Sequence, residues 1–316
     1  MNPVISTPRI ASGIDDLVGG TPLLRLPVAG AAPGCAVLAK LESANPLSSI
    51  KDRAALWMLN GAEESGRLVP GGTVIEASSG NTGIGLAALC AARGYRCVIV
   101  LPDTATGERI GLLRALGAEV VLTPGELRLQ GTLDKAEELL AETPGAWFSR
   151  QHQNPDNPRA HRESTGPEIW ADTGGRVDVL VCGIGTGGTF SGTAGHLKER
   201  NPLLRGIAVE PERSPVLSHG WSGPHGIPGL NGGFVADTTD TALIDEILTV
   251  SDADAEAGTR WLARRLGVLA GISSGCAAHA ASVVARRPSS EGLTIVTILP
   301  DTGERYLSVW PEGDVT

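Results

Sequence analysis

Short apolar runs alternate with longer helical stretches along most of this chain. Residues 97–101 are apolar throughout, as burial on both faces of a parallel sheet requires. The alternation predicts an α/β protein with two consecutive doubly wound series. The predicted strands are residues 74–76, 97–101, 119–122, 146–148, 177–182, 206–210, 247–250 and 294–299. The predicted helices are residues 82–93, 108–116 (stopped by Gly117), 133–141, 193–200, 254–266 and 276–286.

The rhythm breaks over residues 150–169, which contain Asn154-Pro155-Asp156-Asn157-Pro158. A crossover there predicts an N-terminal lobe of residues 1–150 and a C-terminal lobe of residues 151–316, with the first segment free to pack on the other lobe. In doubly wound sheets a ligand lies beyond the carboxyl ends of the strands. Three loops of small residues follow predicted strands, at 78–83, 183–189 and 271–275, and they predict the site.

Composition narrows the possible partners. The chain is 41% hydrophobic and 19% charged, as in soluble globular proteins. A net charge of -9 and the absence of a Lys/Arg-rich run argue against nucleic acids and anionic membranes. No apolar run approaches a membrane span, and the first residues show no basic-plus-apolar pattern, so neither a membrane span nor a secretion signal is expected. Five cysteines without a C-x-x-C pair and six histidines without close spacing predict a reduced, cytosolic protein with no metal site, although ligands from distant segments stay open.

The loop Gly185-Thr186-Gly187-Gly188-Thr189 lies between a predicted buried strand and a helix. Backbone N–H groups of such a loop, together with the helix N-terminus, can hold a phosphate. Residues 183–188 also satisfy G-x-G-x-x-G, and Glu210 ends the next strand where a ribose-binding acid would lie. A nicotinamide-binding domain is therefore a rival interpretation, and a purely structural glycine turn is the simpler one.

Two further stretches carry polar groups. The hydroxyl and N–H groups of residues 78–83 suit a carboxylate, and the Asn81 amide can donate to a phenolate-like oxygen, although helix capping by Ser79 or Asn81 would also explain them. Lys51 follows a candidate N-cap, Ser48 or Ser49, and so lies in a first helical turn, where the helix dipole disfavours a cation. An amine required in its neutral form, as an imine or a base, is one explanation, and a tolerated surface lysine is the other.

Several motifs occur together in a characteristic order. They are Asn45-Pro46 with Ser49-Ile50-Lys51-Asp52-Arg53, Ser79-Gly80-Asn81-Thr82-Gly83, Gly185-Thr186-Gly187-Gly188-Thr189, Gly271-Ile272-Ser273-Ser274-Gly275 and Leu299-Pro300-Asp301-Thr302-Gly303-Glu304-Arg305-Tyr306-Leu307-Ser308. From about Gly20 to Ser308 the chain resembles the cysteine synthases (O-acetylserine sulfhydrylases). These are pyridoxal-phosphate enzymes of fold type II, tryptophan synthase β-like, with the cofactor between two lobes. The regulatory module that follows this region in cystathionine β-synthases is not expected.

The resemblance implies a role for each matching residue. Lys51 would form the internal aldimine with pyridoxal 5'-phosphate, and Asn81 would touch its 3′-oxygen. The phosphate would be held by Gly185, Thr186, Gly187, Gly188 and Thr189. Ser273, rather than Ser274, would face the pyridine nitrogen. The amino-acid carboxylate would be bound by Ser78, Ser79, Gly80, Thr82 and Gln151.

The implied reaction is a β-substitution by a transferase that is usually a cytosolic homodimer. O-acetyl-L-serine and sulfide would give L-cysteine and acetate through an aminoacrylate, with Lys51 moving the α-proton. The partners would be an amino acid and a small nucleophile. A protein that kept the fold and the cofactor but only binds its ligand is a further alternative, and a dehydrogenase is a remote one.

Three positions depart from the family pattern. Gln151 is followed by His152 instead of phenylalanine, Asn231 interrupts the loop 229–234 where the family has Gly-Ile-Gly-Ala-Gly-Phe, and Ser78 replaces threonine. A polar pocket discriminates strongly against ligands that leave its groups unpaired. His152 and Asn231 are therefore specificity candidates for a leaving group such as phosphate, or for a nucleophile other than sulfide that gives a specialised β-substituted alanine. Neutral variation is the simpler explanation, so cysteine synthesis is the leading prediction.

Overall fold

The computed structural model describes residues 10–78 and 80–310, and its strands form two sheets. The strands are β1 (Leu23–Leu26), β2 (Ala36–Leu41), β3 (Thr73–Ala77), β4 (Arg96–Pro102), β5 (Glu119–Thr123), β6 (Ala146–Phe148), β7 (Val179–Gly183), β8 (Arg205–Pro211), β9 (Glu246–Val250) and β10 (Thr294–Leu299). One sheet has the order β1-β2-β10-β7-β8-β9 and the other β5-β4-β3-β6. All neighbouring strands are parallel except β1 and β2.

Helices cover both faces of both sheets. They are α1 (Lys51–Glu64), α2 (Asn81–Arg93), α3 (Gly107–Ala115), α4 (Arg128–Glu142), α5 (Asp156–Ala160), α6 (Gly166–Asp172), α7 (Gly188–Arg200), α8 (Val216–His219), α9 (Asp252–Leu266) and α10 (Ile272–Ala285). The π-helical turn His161–Thr165 joins α5 to α6. No helix of the described ranges has both the length and the hydropathy that a bilayer span demands.

The apolar strands are buried on both sides, as their sequence predicts. Along β7, Val179 and Val181 belong to the core that contains α10, whereas Leu180 and Cys182 pack with Phe190 of α7. In the smaller sheet, Val74 packs in the core of α1 and α2, and its neighbour Ile75 packs in the core of α4. Alternate side chains thus enter different cores, and the polar loops are left at the strand ends.

The chain crosses between the sheets twice. β1 and β2 belong to the six-stranded sheet, because β2 pairs with β10. The chain then forms α1 and the four-stranded sheet, and after β6 it returns through α5 and α6 to β7. The predicted lobe limits at residues 150 and 151 stay a prediction, although β6 does end at Phe148.

Three predicted helix starts are wrong, and one of them is that of α4, which begins at Arg128 and not at residue 133. The loop 271–275 was expected to precede its helix, but α10 begins at Ile272 and includes Ser273, Ser274 and Gly275. α7 begins at Gly188, not at residue 193. The helices continue through their glycines. A glycine at these positions allows a neighbouring segment to approach the helix backbone closely. A Cβ on Gly275 would lie 2.1 Å from Oγ1 of Thr259 in α9, and one on Gly192 would lie 2.1 Å from the carbonyl oxygen of Pro158.

Candidate active site

The loops after β3, β6, β7 and β10 meet around two adjoining cavities, and Lys51 lines both. The first, which we call the glycine-loop cavity, is lined among others by Asn81, Gly185, Thr186, Gly187, Thr189, Ser273, Asp301 and Tyr306. The second, the serine-loop cavity, has a volume of 290 Å³ and is lined among others by Ser78, Gly80, Asn81, Thr82, Arg109, Gln151, His152 and Asn231. Of the residues predicted for the site, Gly188 and Ser274 line neither cavity, and Ser79 lies outside the described residues.

Lys51 is the first residue of α1, as its sequence context predicts. Its backbone N–H donates to Oγ of Ser49 at 3.2 Å, although Ile50 is the residue at the N-cap position. Removal from water lowers the pKa of the Lys51 amine, and the smaller effects of Cys182 and Asp301 oppose this. The fold therefore favours the neutral amine at the junction of the two cavities.

The glycine loop connects β7 to the N-terminus of α7. Within the described part of the chain, the backbone N–H groups of Gly185, Thr186 and Gly187 have no hydrogen-bond acceptor. Gly187 adopts a left-handed conformation, with φ 79°, that a side chain would strain. Thr186 is held by several hydrogen bonds: its hydroxyl accepts from Nδ2 of Asn157 at 2.9 Å, and its carbonyl accepts from Oγ1 of Thr238 at 2.5 Å and from Oγ1 of Thr239 at 3.3 Å. Unpaired N–H groups at a helix start suit a phosphate dianion.

The two serines of α10 have different environments. Ser273 lines the glycine-loop cavity together with Gly185, Thr186, Gly187 and Thr189. Ser274 is fully buried, and its hydroxyl has no hydrogen-bond partner among the residues that the structure describes. Of the two, Ser273 is placed to meet a ring in the cavity.

The serine loop begins α2. Oγ1 of Thr82 donates to Oε1 of Gln151 at 2.6 Å, so the two predicted carboxylate-binding residues touch each other. Gln151 in turn donates from Nε2 to Oε1 of Glu76 at 3.0 Å. Glu76 is 1% exposed, and burial raises its pKa to about 7. The sequence analysis assigned Glu76 only to a strand. A glutamate near the end of an apolar strand nevertheless indicates a buried acid that needs hydrogen-bond donors.

Asp301, Arg305 and Tyr306 belong to the predicted motifs, but the sequence analysis assigned them no function. Nδ2 of Asn81 donates to Oδ2 of Asp301 at 2.7 Å, and Oδ1 of Asn81 accepts from Nη1 of Arg305 at 2.5 Å. The Tyr306 hydroxyl donates to the same carboxylate oxygen at 2.5 Å. Burial raises the pKa of Asp301. The segment after β10 therefore orients the Asn81 amide, which the sequence could not indicate because the contact spans 220 residues.

The two specificity candidates differ in their freedom to contact a ligand. His152 lines the serine-loop cavity and packs on Phe234 with ring centroids 5.4 Å apart. Burial, with a smaller effect of Lys51, lowers its pKa to about 4, so the imidazole is neutral at pH 7. The Asn231 amide is already bonded to backbone groups: it donates to the carbonyl of Ser214, which precedes α8, and accepts from the N–H of Gly233 at 2.9 Å.

Comparisons with known proteins identify the family. A family model described as pyridoxal-phosphate dependent enzyme matches residues 14–301. The chain belongs to this family. Cysteine synthase of Staphylococcus aureus (strain Mu50 / ATCC 700699) is 46% identical over 296 residues, which cover 93% of this chain and 95% of that protein. The cysteine synthase structure from Entamoeba histolytica has a TM-score of 0.93 at 41% identity, covering 98% of this chain and 95% of that one.

A solved O-ureido-L-serine synthase is similar as well, with a TM-score of 0.91 and 41% identity over 97% of this chain and 98% of that one. The protein is thus a pyridoxal-phosphate enzyme of fold type II, cysteine synthase-like, and acts on an amino acid. The predicted family, fold and cofactor are confirmed. The nicotinamide-binding alternative required Glu210 as a free acid that binds a ribose. The Glu210 carboxylate instead accepts from the backbone N–H groups of Leu217 and Ser218.

The residues around the glycine-loop cavity fit the cofactor on their own chemistry. A desolvated amine suits the aldehyde carbon, free N–H groups suit the phosphate, and the Ser273 hydroxyl suits a ring nitrogen. Among the described residues, no cluster of three or more His, Cys, Asp or Glu side chains is arranged to hold a metal ion.

Proposed function

We propose that this enzyme performs a β-replacement on O-acetyl-L-serine with sulfide, giving L-cysteine and acetate. The observation that carries the proposal is the position of Lys51, whose desolvated amine lines both the glycine-loop and the serine-loop cavity. One lysine can therefore serve a cofactor in the first cavity and the α-carbon of an amino acid in the second. Similarity to two cysteine synthases supports this choice of substrates.

Each loop of the site has its own task in this proposal. Gly185, Thr186, Gly187 and Thr189 hold the cofactor phosphate, and Ser273 faces the ring nitrogen. The bound cofactor supplies the electron sink that stabilises negative charge at the α-carbon. Ser78, Gly80, Thr82 and Gln151 bind the substrate carboxylate, with Ser79 as a further candidate.

The chemistry at the substrate follows from the neutral amine of Lys51. Nζ takes the proton from the α-carbon, the bond between the β-carbon and the acetate oxygen breaks, and acetate leaves. A bond then forms between sulfide and the β-carbon, and Nζ returns a proton to the α-carbon. The neutral form of Lys51 is needed because an ammonium group cannot accept the proton.

The test uses the purified enzyme loaded with pyridoxal phosphate. We expect a visible absorption band, with release of acetate and formation of cysteine when O-acetyl-L-serine and sulfide are added. Lys51→Ala should lose the band and at least about 1,000-fold in turnover, because it removes both the attachment and the base. Lys198→Ala, which changes a half-buried lysine of α7 that lines neither cavity, is the matched control and should keep both. A yellow enzyme that binds amino acids without any turnover would support the binding-protein alternative.

A second candidate function is supported by His152. Its imidazole is neutral, lines the serine-loop cavity and has no hydrogen-bond partner within the described ranges. Arg109 lines the same cavity, and its buried Nε has no hydrogen-bond partner in the described part of the chain. These groups would suit a more polar leaving group or nucleophile, such as phosphate or an oxygen- or nitrogen-containing acceptor. A similar solved protein carries the name O-ureido-L-serine synthase.

A substrate panel separates the two candidates. The donors are O-acetylserine and O-phosphoserine, and the acceptors are sulfide, thiosulfate, amines and hydroxylamine-type nucleophiles. If the second candidate is correct, His152→Phe lowers kcat/KM for the preferred non-sulfide pair by about 10- to 100-fold relative to acetate and sulfide. Asn231→Gly is the comparison variant, because its amide is already bonded to backbone groups. Unchanged ratios in His152→Phe would leave cysteine synthesis as the function.

A further inference from the structure

A buried chain of hydrogen bonds leads from Glu76 at the end of β3 to the serine-loop cavity. It passes from the Glu76 carboxylate to the Gln151 amide at 3.0 Å and from there to the Thr82 hydroxyl at 2.6 Å. Glu76, Gln151 and Thr82 are 1%, 6% and 2% exposed. Only the last two line the cavity, so Glu76 would act on a ligand through them.

The surroundings of Glu76 contain hydrogen-bond donors but no compensating cation. The Ser149 hydroxyl donates to its other carboxylate oxygen, and the backbone amides of Arg150 and Gln151 also stabilise the charged form. Glu76 forms no ion pair among the residues that the structure describes. Arg150 adopts a left-handed conformation, with φ 49°, which places the turn after β6 over Glu76 at a cost in backbone energy.

The other titratable groups near Glu76 come from three neighbouring elements. Cys97 of β4 and Cys90 of α2 pack in the same core as Val74. The pKa of the Cys97 thiol is raised by its hydrogen bond to the Cys90 thiol, by burial and by the charge of Glu76. The Arg150 guanidinium is paired with Glu137 of α4 and lies over the Phe148 ring. Cys97 is therefore neutral, and the Arg150 charge is already balanced.

The donor-to-acceptor direction of this chain of hydrogen bonds depends on whether the Glu76 carboxyl group is protonated. An ionised Glu76 only accepts, so the Gln151 amide must turn Nε2 toward it and Oε1 toward Thr82, and the Thr82 proton then points away from the cavity. A protonated Glu76 can donate to Oε1 instead. Nε2 then donates to Oγ1 of Thr82, and the Thr82 proton is free for an acceptor in the cavity. Exchanging the amide oxygen and nitrogen requires no movement of the other residues.

We propose that Glu76 is a positioning residue that takes up a proton from solvent when a substrate carboxylate binds, so that Gln151 donates to Thr82 and Thr82 donates to that carboxylate. This inference rests on the proposed carboxylate site, but not on the identity of the leaving group or of the nucleophile. Two effects favour the uptake. The aligned chain of donors stabilises the incoming anion, and a second negative charge in a poorly solvated site disfavours ionised Glu76.

The test counts protons, using the enzyme loaded with pyridoxal phosphate and L-alanine, which has no leaving group. Binding is followed through the visible spectrum, and proton uptake is measured by calorimetry in buffers of different ionisation enthalpy. At about pH 8, where a group of pKa about 7 is mostly ionised, the wild type should take up close to one proton more than Glu76→Gln. The glutamine keeps a donor toward Gln151 and cannot titrate.

The affinity for L-alanine gives a second readout. Relative to Glu76→Gln, the dissociation constant of the wild type should rise with pH above about 7, by up to about tenfold for each pH unit. Glu210→Gln is the matched control: Glu210 is also buried and bonded to hydroxyl and N–H donors, but it lies at the end of β8 and should not change the proton count.

Thr82→Val keeps Glu76 and interrupts the chain, so it should lower proton uptake by at least half, whether or not Glu76→Gln folds. Equal proton numbers in the wild type and Glu76→Gln, or in the wild type and Thr82→Val, would overturn the proposal. Failure to turn over O-acetyl-L-serine would instead count against the proposed reaction, since L-alanine binding does not depend on it.

Discussion

At the scale of single residues, burial changes the pKa of several ionisable side chains in and next to the site, among them Lys51, Asp52 and Glu76. Burial lowers the pKa of Lys51 and raises those of Asp52 and Glu76, each of the last two to about 7. All three changes favour the neutral form, because a charge is poorly solvated in the interior. A lysine base is useful in this state, and the buried acids make stability depend on pH.

Glu76 allows this dependence to be measured. As pH rises from about 4.5, glutamate ionises in the unfolded chain first, whereas folded Glu76 stays protonated up to about pH 7. The wild type should therefore lose on the order of 2 to 3 kcal/mol of unfolding free energy over that range relative to Glu76→Gln. Urea unfolding of the loaded enzyme at several pH values measures the difference. A constant difference across that range would contradict the raised pKa.

At the scale of elements, the loops at the strand ends were predictable and the limits of the helices were not. Small and polar residues after apolar strands indicate the loops 78–83 and 183–189, and both lie at the site. The starts of α7 and α10 were placed too late, because glycine weakens an isolated helix. In the folded chain Gly192 and Gly275 allow close contact with neighbouring backbone, a tertiary gain that no local pattern contains.

The division of work between the two loops leads to a prediction for Thr82. It lines only the serine-loop cavity, whereas Gly187 and Thr189 line only the glycine-loop cavity, and Gly185 and Thr186 line both. Thr82→Ala should weaken L-alanine binding by about 10-fold or more, the loss of a hydrogen bond to a charged group. Retention of pyridoxal phosphate, measured by dialysis and absorbance, should change less than about twofold. Equal losses of both ligands would mean that the loops are assigned wrongly.

At the scale of the whole molecule, two series of strands and helices were predictable from the chain, but the pairing of its first strands with its last was not. β2 pairs with β10 across more than 250 residues. Local periodicity contains no information on such partners. The same holds for Asp301, which reaches Asn81 only through this pairing. A homodimer stays a prediction, to be tested by light scattering.

The helix that begins with Lys51 is fixed by an ion network that joins distant segments. Arg53 donates to Glu42, which follows β2, at 2.8 Å, and to Glu168 of α6 at 2.6 Å. The side chains of Arg53 and Glu42 are fully buried. Lys40 of β2 also reaches Glu168, at 2.9 Å. The network therefore links α1 to the six-stranded sheet and to the crossover segment.

Removing Arg53 should uncouple these parts. Arg53→Met leaves Glu42 buried without its partner, which should cost about 3 to 5 kcal/mol of unfolding free energy. Arg159→Met is the matched control, since Arg159 pairs with Glu163 at the same 2.8 Å distance but on an exposed surface, and its loss should cost at most about 1 kcal/mol. The double variant Arg53→Met/Glu42→Gln should recover part of the loss, because no buried charge is left at Glu42.

The dependence of the unfolding free energy on pH at acid pH gives an independent check of the ion network around Arg53. Arg53 and Lys40 hold the pKa of Glu168 at about 2 against the effect of burial, whereas an unfolded glutamate titrates near 4.5. The stabilisation is therefore complete above about pH 4.5 and is lost as pH falls toward 2. In Glu168→Gln this part of the acid dependence should be absent when unfolding is followed by circular dichroism. Identical acid profiles for the variant and the wild type would show that Glu168 does not hold the crossover segment to α1.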